Sequence, residues 1–149
     1  AQTSTVIGSS LGGFYATWAA AEHGMAAIVL NPAVHPARDL ANYIGVHPSW
    51  HDPAVMVEIK PSYVEELKTM YVSSALDFLL QDEVTPKHLK CDAPKLLAMI
   101  ATGDEVLDWQ EMAARYSKHQ LHIIQGSDHG ITDFADHIHV LETFLNALR

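Results

Sequence analysis

The chain has 149 residues, 48% hydrophobic and 18% charged, with mean hydropathy +0.03, a composition suited to one globular domain. Nine basic against eighteen acidic residues give a formal charge of −9, which argues against nucleic acid and anionic membranes as partners. No apolar run reaches membrane-spanning length, and the lone Cys91 forms no disulfide within the chain and falls in no metal or redox spacing. Because the first residue is Ala1 and strand-like sequence begins almost at once, the chain is expected to be a fragment or a processed product.

In chain order, the first predicted strand is Thr3–Ile7. It runs into Gly8-Ser9-Ser10-Leu11-Gly12-Gly13, and an Ala-rich helix follows from Leu11 to His23, with Gly24 as its C-cap. Strand, Gly-x-Ser-x-Gly, helix is the context of a nucleophile elbow, a turn so sharp that its serine is strained and its hydroxyl stands clear of the chain. Side chains at both flanks, Gly8 and Gly12, are expected to collide, and Gly13 gives the helix room against the sheet. The spacing fits neither a dinucleotide fingerprint nor a phosphate loop, although a structural turn is the plain alternative. Ser10 would stand at the positive end of the helix, where developing negative charge is favoured.

A second strand is predicted at Ala26–Leu30, a third at Lys95–Ala101 and a fourth at Leu121–Ile124. All are continuous apolar runs, as for strands buried on both faces. Helices are predicted at Trp109–Lys118, with Trp109, Met112, Ala113 and Tyr116 on one face, and at Asp133–Leu148. The apolar stripe of the latter is Phe134, Ile138, Leu141, Leu145 and Leu148. Alternating strands and helices predict an α/β fold with a parallel sheet. The region 34–92 breaks the rhythm. It holds five of the seven prolines and two short helical candidates, Tyr63–Met70 and Ala75–Gln81, and it reads as a helical, cap-like insertion between the second and third strands.

A serine nucleophile needs a base and an orienting acid, which α/β folds place on loops at the carboxyl ends of strands. The loop after the third strand is Thr102-Gly103-Asp104-Glu105-Val106-Leu107-Asp108, and the loop after the fourth is Gly126-Ser127-Asp128-His129-Gly130. Asp108, three residues before Glu111, has the spacing of a capping box, so Asp104 is the preferred acid, with Glu105 third. A solvated turn is the plain alternative for Asp104. Of ten histidines only His129 lies in a Gly-flanked loop directly after a predicted buried strand. The pairs His47/His51, His119/His122 and His137/His139 have no third ligand in sequence, so no metal is expected.

These residues, together with Phe14-Tyr15-Ala16-Thr17-Trp18, Asn31-Pro32-Ala33-Val34 and Pro36, resemble the YqiA-like, UPF0227-type esterases of the α/β-hydrolase superfamily. The blocks occur in the family's order from near Ala1 to the C-terminus. The resemblance implies an α/β-hydrolase core without its N-terminal strands. It also implies a cytoplasmic esterase for short acyl esters, or acyl thioesters, with no cofactor. Ser10 would be nucleophile, His129 base and Asp104 acid, and the backbone N–H of Leu11 would be one oxyanion-hole donor. The second donor would come from the segment that precedes the elbow in the family. Without that segment the first strand is expected to be an exposed edge, open to pairing with another chain. The acyl pocket is expected from the insertion, with Trp50, Val55, Val57, Tyr63, Met70, Tyr71, Phe78 and Leu79 as candidate lining, although residues of these types more often form plain core than pocket. Two other readings stand beside the esterase: a non-catalytic α/β-hydrolase-like binding module, and a peptidase or thioesterase using the same three residues.

Overall fold

Backbone pairing follows the apolar runs. The computed structural model describes residues 4–49, 52–73 and 95–148. The chain divides into two compact units, one of Ala1–Val34 with Ser74–Arg149 and one of His35–Ser73.

The first unit is built on β1 (Thr5–Ser9), β2 (Ala26–Leu30), β5 (Leu96–Ala101) and β6 (Gln120–Ile124). They form one sheet in the order β1-β2-β5-β6, with every pairing parallel. Helix α1 (Leu11–His23) follows β1, α4 (Trp109–Arg115) follows β5 and α5 (Phe134–Asn146) follows β6. The side chains alternate across the two inner strands. Ala27, Val29, Leu96, Ala98 and Ile100 pack with Ala16 and Ala20 of α1 and Met112 of α4. Ile28, Leu97, Met99 and Ala101 pack on the opposite face with Ile124, Ile131 and Phe144 of α5. The period of two thus splits each continuous apolar run between two helical layers.

Only the two inner strands are buried along their length; β1 and β6 are mostly half-buried or exposed, and Ile7 on β1 is 54% exposed. The expectation of strands buried on both faces therefore holds for β2 and β5 alone, because the other two are the edges of the described sheet. The first strand also lies two residues later than the predicted Thr3–Ile7, so pairing continues into the elbow as Gly8↔Val29 and Ser9↔Leu30.

Helix α1 matches its predicted span, and Gly24 caps it in the left-handed conformation at φ 64°. Helix α4 stops at Arg115 rather than Lys118 and starts from Asp108, whose Oδ1 accepts the Gln110 N–H at 2.8 Å. Helix α5 corrects the predicted stripe. Ile138 is 45% exposed, whereas Phe134, Leu141, Phe144, Leu145 and Leu148 pack inward. The inward track is 134, 137, 141, 144 and 148, and its second place is taken by His137, which meets β6.

The second unit holds α2 (Pro36–Ala41), β3 (Gly45–Pro48), β4 (Met56–Ile59) and α3 (Pro61–Ser73). Strands β3 and β4 form an antiparallel pair, and Val64 and Leu67 of α3 are buried. At the connection, Asp52 accepts the Val55 N–H through its carbonyl and the Ala54 N–H through its carboxylate, an Asx-type turn. The helical reading of the insertion holds for α3, which extends the predicted Tyr63–Met70 at both ends. The hairpin and α2 were not predicted. The candidate helix Ala75–Gln81, Cys91, Trp50, Phe78 and Leu79 lie outside the described residues, as does the side chain of Tyr71. Val55, Val57 and Tyr63 are exposed. Among the described residues, no helix is long and apolar enough to cross a membrane.

Candidate active site

The elbow turns at Ser10, whose backbone sits at φ 53° and ψ −123°, a conformation that costs a non-glycine residue of order 1–3 kcal/mol. Its surroundings fix that conformation from both sides. The Ser10 N–H donates to the Leu30 carbonyl at 3.0 Å, and the Ser10 carbonyl accepts the Ala33 N–H and the Gly13 N–H, each at 2.9 Å. A Cβ on Gly8 would lie 2.0 Å from the Gly12 carbonyl oxygen, so the chain doubles back on itself across a bare backbone. The expected collision at the second flank is absent, since a Cβ on Gly12 would meet nothing within 4 Å. Gly13 does need to be bare, but a Cβ there would strike Pro32, in the turn after β2, at 2.7 Å. Leu11 is the first residue of α1, and N–H groups of a first helical turn have no acceptor within their helix.

Asp104 follows the end of β5. Its Oδ1 accepts the N–H groups of Val106 and Leu107, each at 2.8 Å, which fixes the carboxylate plane. Its Oδ2 lies 2.8 Å from His129 Nδ1, with the Asp104 side chain fully buried. Glu105 reaches the same histidine by another route, since its Oε2 accepts the His129 backbone N–H at 3.0 Å. Asp108 is committed to the start of α4.

His129 is presented by the loop after β6. Its Nε2 lies 2.9 Å from Ser10 Oγ, across 119 positions of sequence. Three of the four sequence-predicted residues thus form one hydrogen-bonded line, Ser10 Oγ to His129 to Asp104, and the fourth, Leu11, is the next residue after Ser10. An Asp accepting from Nδ1 leaves Nε2 as the acceptor facing the hydroxyl.

The loop that carries His129 is itself tethered. Ser127 and Ile131 both have positive φ, 60° and 49°. The Gly103 N–H donates to the Gly126 carbonyl at 3.0 Å, and a Cβ on Gly103 would lie 2.2 Å from the Ser127 carbonyl oxygen. The Ser127 hydroxyl donates to Asp133 Oδ1, and this bond is the main reason the Asp133 carboxyl is held below its ordinary value of 3.8. Asp133 Oδ2 in turn faces His137 Nε2 at 3.4 Å, and His137 Nδ1 is 3.1 Å from His122 Nε2. Burial, with the nearby His137 and His139, pushes the His122 ring below its ordinary 6.5.

Sequence spacing did not pair His122 with His137, because strand-to-helix contacts of this kind leave no periodic trace. Sequence reasoning also missed Asn31, which is fully buried and whose carboxamide bonds to the backbone of Ala101, Asp128 and His129. The signal available was a polar residue directly after an apolar strand, followed by Pro32. Among the described residues, no group of three or more histidine, cysteine or acidic side chains is arranged to hold a metal ion.

The fold is that of an α/β-hydrolase core. The profile of the family described as "Uncharacterised protein family (UPF0227)" matches residues 1–146, and the chain belongs to that family. Among solved structures, the chain is similar to the esterase domain of a Rhodothermus marinus protein, with 18% identity and a TM-score of 0.58, over 89% of this chain and 55% of that one. It is similar to Est1E from Butyrivibrio proteoclasticus, with 22% identity and a TM-score of 0.55, over 85% of this chain and 52% of that one. It is also similar to alpha/beta hydrolase domain-containing protein 10 from mouse, with 18% identity and a TM-score of 0.58, over 97% of this chain and 60% of that one. The chain spans a little over half the length of these structures, and at such identities the likeness is one of fold.

Proposed function

We propose that the protein is a serine hydrolase of carboxylic esters, acting through an acyl-enzyme on Ser10. The observation that carries this reading is the unbroken line from Ser10 Oγ through His129 to Asp104, with spacings of 2.9 and 2.8 Å. His129 Nε2 takes the hydroxyl proton as Ser10 Oγ attacks the ester carbonyl. Asp104 holds Nδ1–H and stabilises the imidazolium. The oxyanion of the tetrahedral intermediate is met by the Leu11 N–H and by the dipole of α1, 13 residues long. Collapse breaks the bond to the alcohol oxygen, which leaves with the proton from His129. Water, deprotonated at the same Nε2, then cleaves the acyl-enzyme to the carboxylic acid and returns the proton to Ser10. The similarity in fold to the esterase domain of the Rhodothermus marinus protein supports the same bond type. A thioester would pass through the same acyl-enzyme, and its competence is read by adding short acyl-CoAs to the ester panel.

The test is hydrolysis of p-nitrophenyl acetate. Ser10→Ala and His129→Ala are expected to abolish turnover, and Asp104→Asn to lower kcat by about 10⁴-fold by analogy with other Ser-His-Asp enzymes. Asp108→Asn is expected to leave the rate within about twofold, since Asn caps a helix nearly as well as Asp. Unchanged turnover in Ser10→Ala overturns the reading, and a reversed ranking of the two aspartates transfers the acid role to Asp108.

A further inference from the structure

We propose that Asn31 is a positioning residue of this site, a buried side chain that sets the His129 imidazole in register with Ser10; the proposal rests on the serine-hydrolase reading above. Asn31 is the residue directly after β2. It is fully buried, and its backbone sits at φ 40°, in the left-handed region that asparagine tolerates better than almost any residue but glycine. Its N–H donates to the Met99 carbonyl at 3.0 Å, continuing the β2–β5 ladder one step past the strand.

The carboxamide then reaches two other segments. Oδ1 accepts the Ala101 N–H at 2.8 Å, at the end of the strand that leads to Asp104. Nδ2 donates both of its protons, to the Asp128 carbonyl at 3.0 Å and to the His129 carbonyl at 2.9 Å. One N–H on one side and two carbonyls on the other admit only this orientation of the amide. Gripping two successive carbonyls fixes the peptide planes on either side of the His129 Cα, and so the direction in which its side chain leaves the backbone.

The same turn also holds the nucleophile. The Leu30 carbonyl accepts the Ser10 N–H at 3.0 Å, and the Ala33 N–H donates to the Ser10 carbonyl at 2.9 Å. Hydroxyl and imidazole, 119 positions apart in sequence, are therefore both referenced to residues 30–33. Asn31 touches neither reacting atom. Its part is to remove the freedom of the His129 loop, and a displacement of about 1 Å at such a site costs on the order of 10²-fold in rate.

The experiment compares the protein with Asn31→Asp, which keeps the shape, the Oδ1 acceptor and tolerance of positive φ but turns an oxygen toward the two carbonyls. Active sites are counted by fluorophosphonate titration. Expected are a fall in kcat per titrated site of about 10²-fold or more with KM within about twofold, and loss or displacement of the low-field proton resonance of His129 Nδ1–H. Phe144→Leu, a core change on α5, is expected to lower Tm while leaving both readouts unchanged. A kcat per site and an Nδ1–H resonance like those of the unmodified protein in Asn31→Asp would overturn the proposal. Should Asn31→Asp not fold, Asn31→Gly, which accepts the same φ, is read in the same way.

A further measurement needs no substitution. The Asn31 side-chain amide protons are expected to exchange slowly with solvent, as protons donated to the Asp128 and His129 carbonyls, and fast exchange would overturn the proposal. If the unmodified protein neither hydrolyses esters nor reacts with the probe, the hydrolase reading fails, while both resonance measurements still decide whether Asn31 holds His129.

Discussion

The elbow at Gly8–Gly13 and the histidine loop at Gly126–Ile131 both hold strained backbone at the carboxyl ends of parallel strands, on the two outer strands of the sheet, yet they are stabilised in different ways. The elbow is local. Its glycines let the backbone cross itself, and its other bonds run to the adjacent turn after β2. The histidine loop is stabilised from a distance: Asn31, Gly103, Glu105 and Asp133 each hold it by a different atom. The Ser10 turn is thus set by six consecutive residues and one neighbouring turn, whereas His129 is placed by residues from several separate segments.

The largest effect is expected where steric need is absolute. Gly8→Ala puts a Cβ 2.0 Å from a backbone oxygen, so the elbow must open. A loss of more than about 3 kcal/mol in stability, or no folded protein, is expected, a size reserved for strained positions of this kind. Gly12→Ala, facing open space on a helix, is expected to leave Tm unchanged or to raise it, by up to about 1 kcal/mol of stability. Urea unfolding of the two variants breaks the comparison if they behave alike.

Gly103→Ala sharpens it on the other side. Its Cβ would lie 2.2 Å from the Ser127 carbonyl oxygen, so the histidine loop must shift while the elbow does not. The cost expected is about 1–3 kcal/mol, typical of overpacking. Ester turnover is expected to fall by more than the stability loss accounts for. Turnover measured on fully folded enzyme, below Tm, separates the two.

The smallest effect is pH-dependent. His122 titrates below its ordinary 6.5 in the fold, so the unfolded chain binds the proton first as pH falls. Its contribution to stability is complete above about pH 6.5 and is lost as pH falls through the lower folded value. His122→Gln is expected to flatten the decline of Tm as pH falls below about 6.5, the side of the ordinary value to which the shift points. An equal slope in both proteins would remove His122 from the account.

Much of this was readable beforehand for stated reasons. Strands β2 and β5 announce themselves as unbroken apolar runs because helices cover both of their faces. The grouping of Ser10, His129 and Asp104 was legible because Ser10 lies in a Gly-x-Ser-x-Gly turn and the rule that places chemistry at carboxyl strand ends leaves few candidates for the other two. The hairpin β3–β4 was not readable, because Val46 and Met56 are about 60% exposed and β3 is four residues ending in Pro48, which erases the alternation that marks a half-buried pair. Asn31 could be quoted only as part of a resemblance, because its partners lie 70 to 98 positions away and a single buried amide has no period. The inward place of His137 on α5 was given to Ile138 because hydropathy favours the isoleucine, whereas the facing His122 is a hydrogen-bond partner.

The most direct measurement of the central claim is mass-spectrometric mapping after reaction with a fluorophosphonate probe. The account predicts a single adduct, on the peptide carrying Ser10, whose formation drops sharply in His129→Ala. No adduct on Ser10, or one that forms at the same rate without His129, would contradict it.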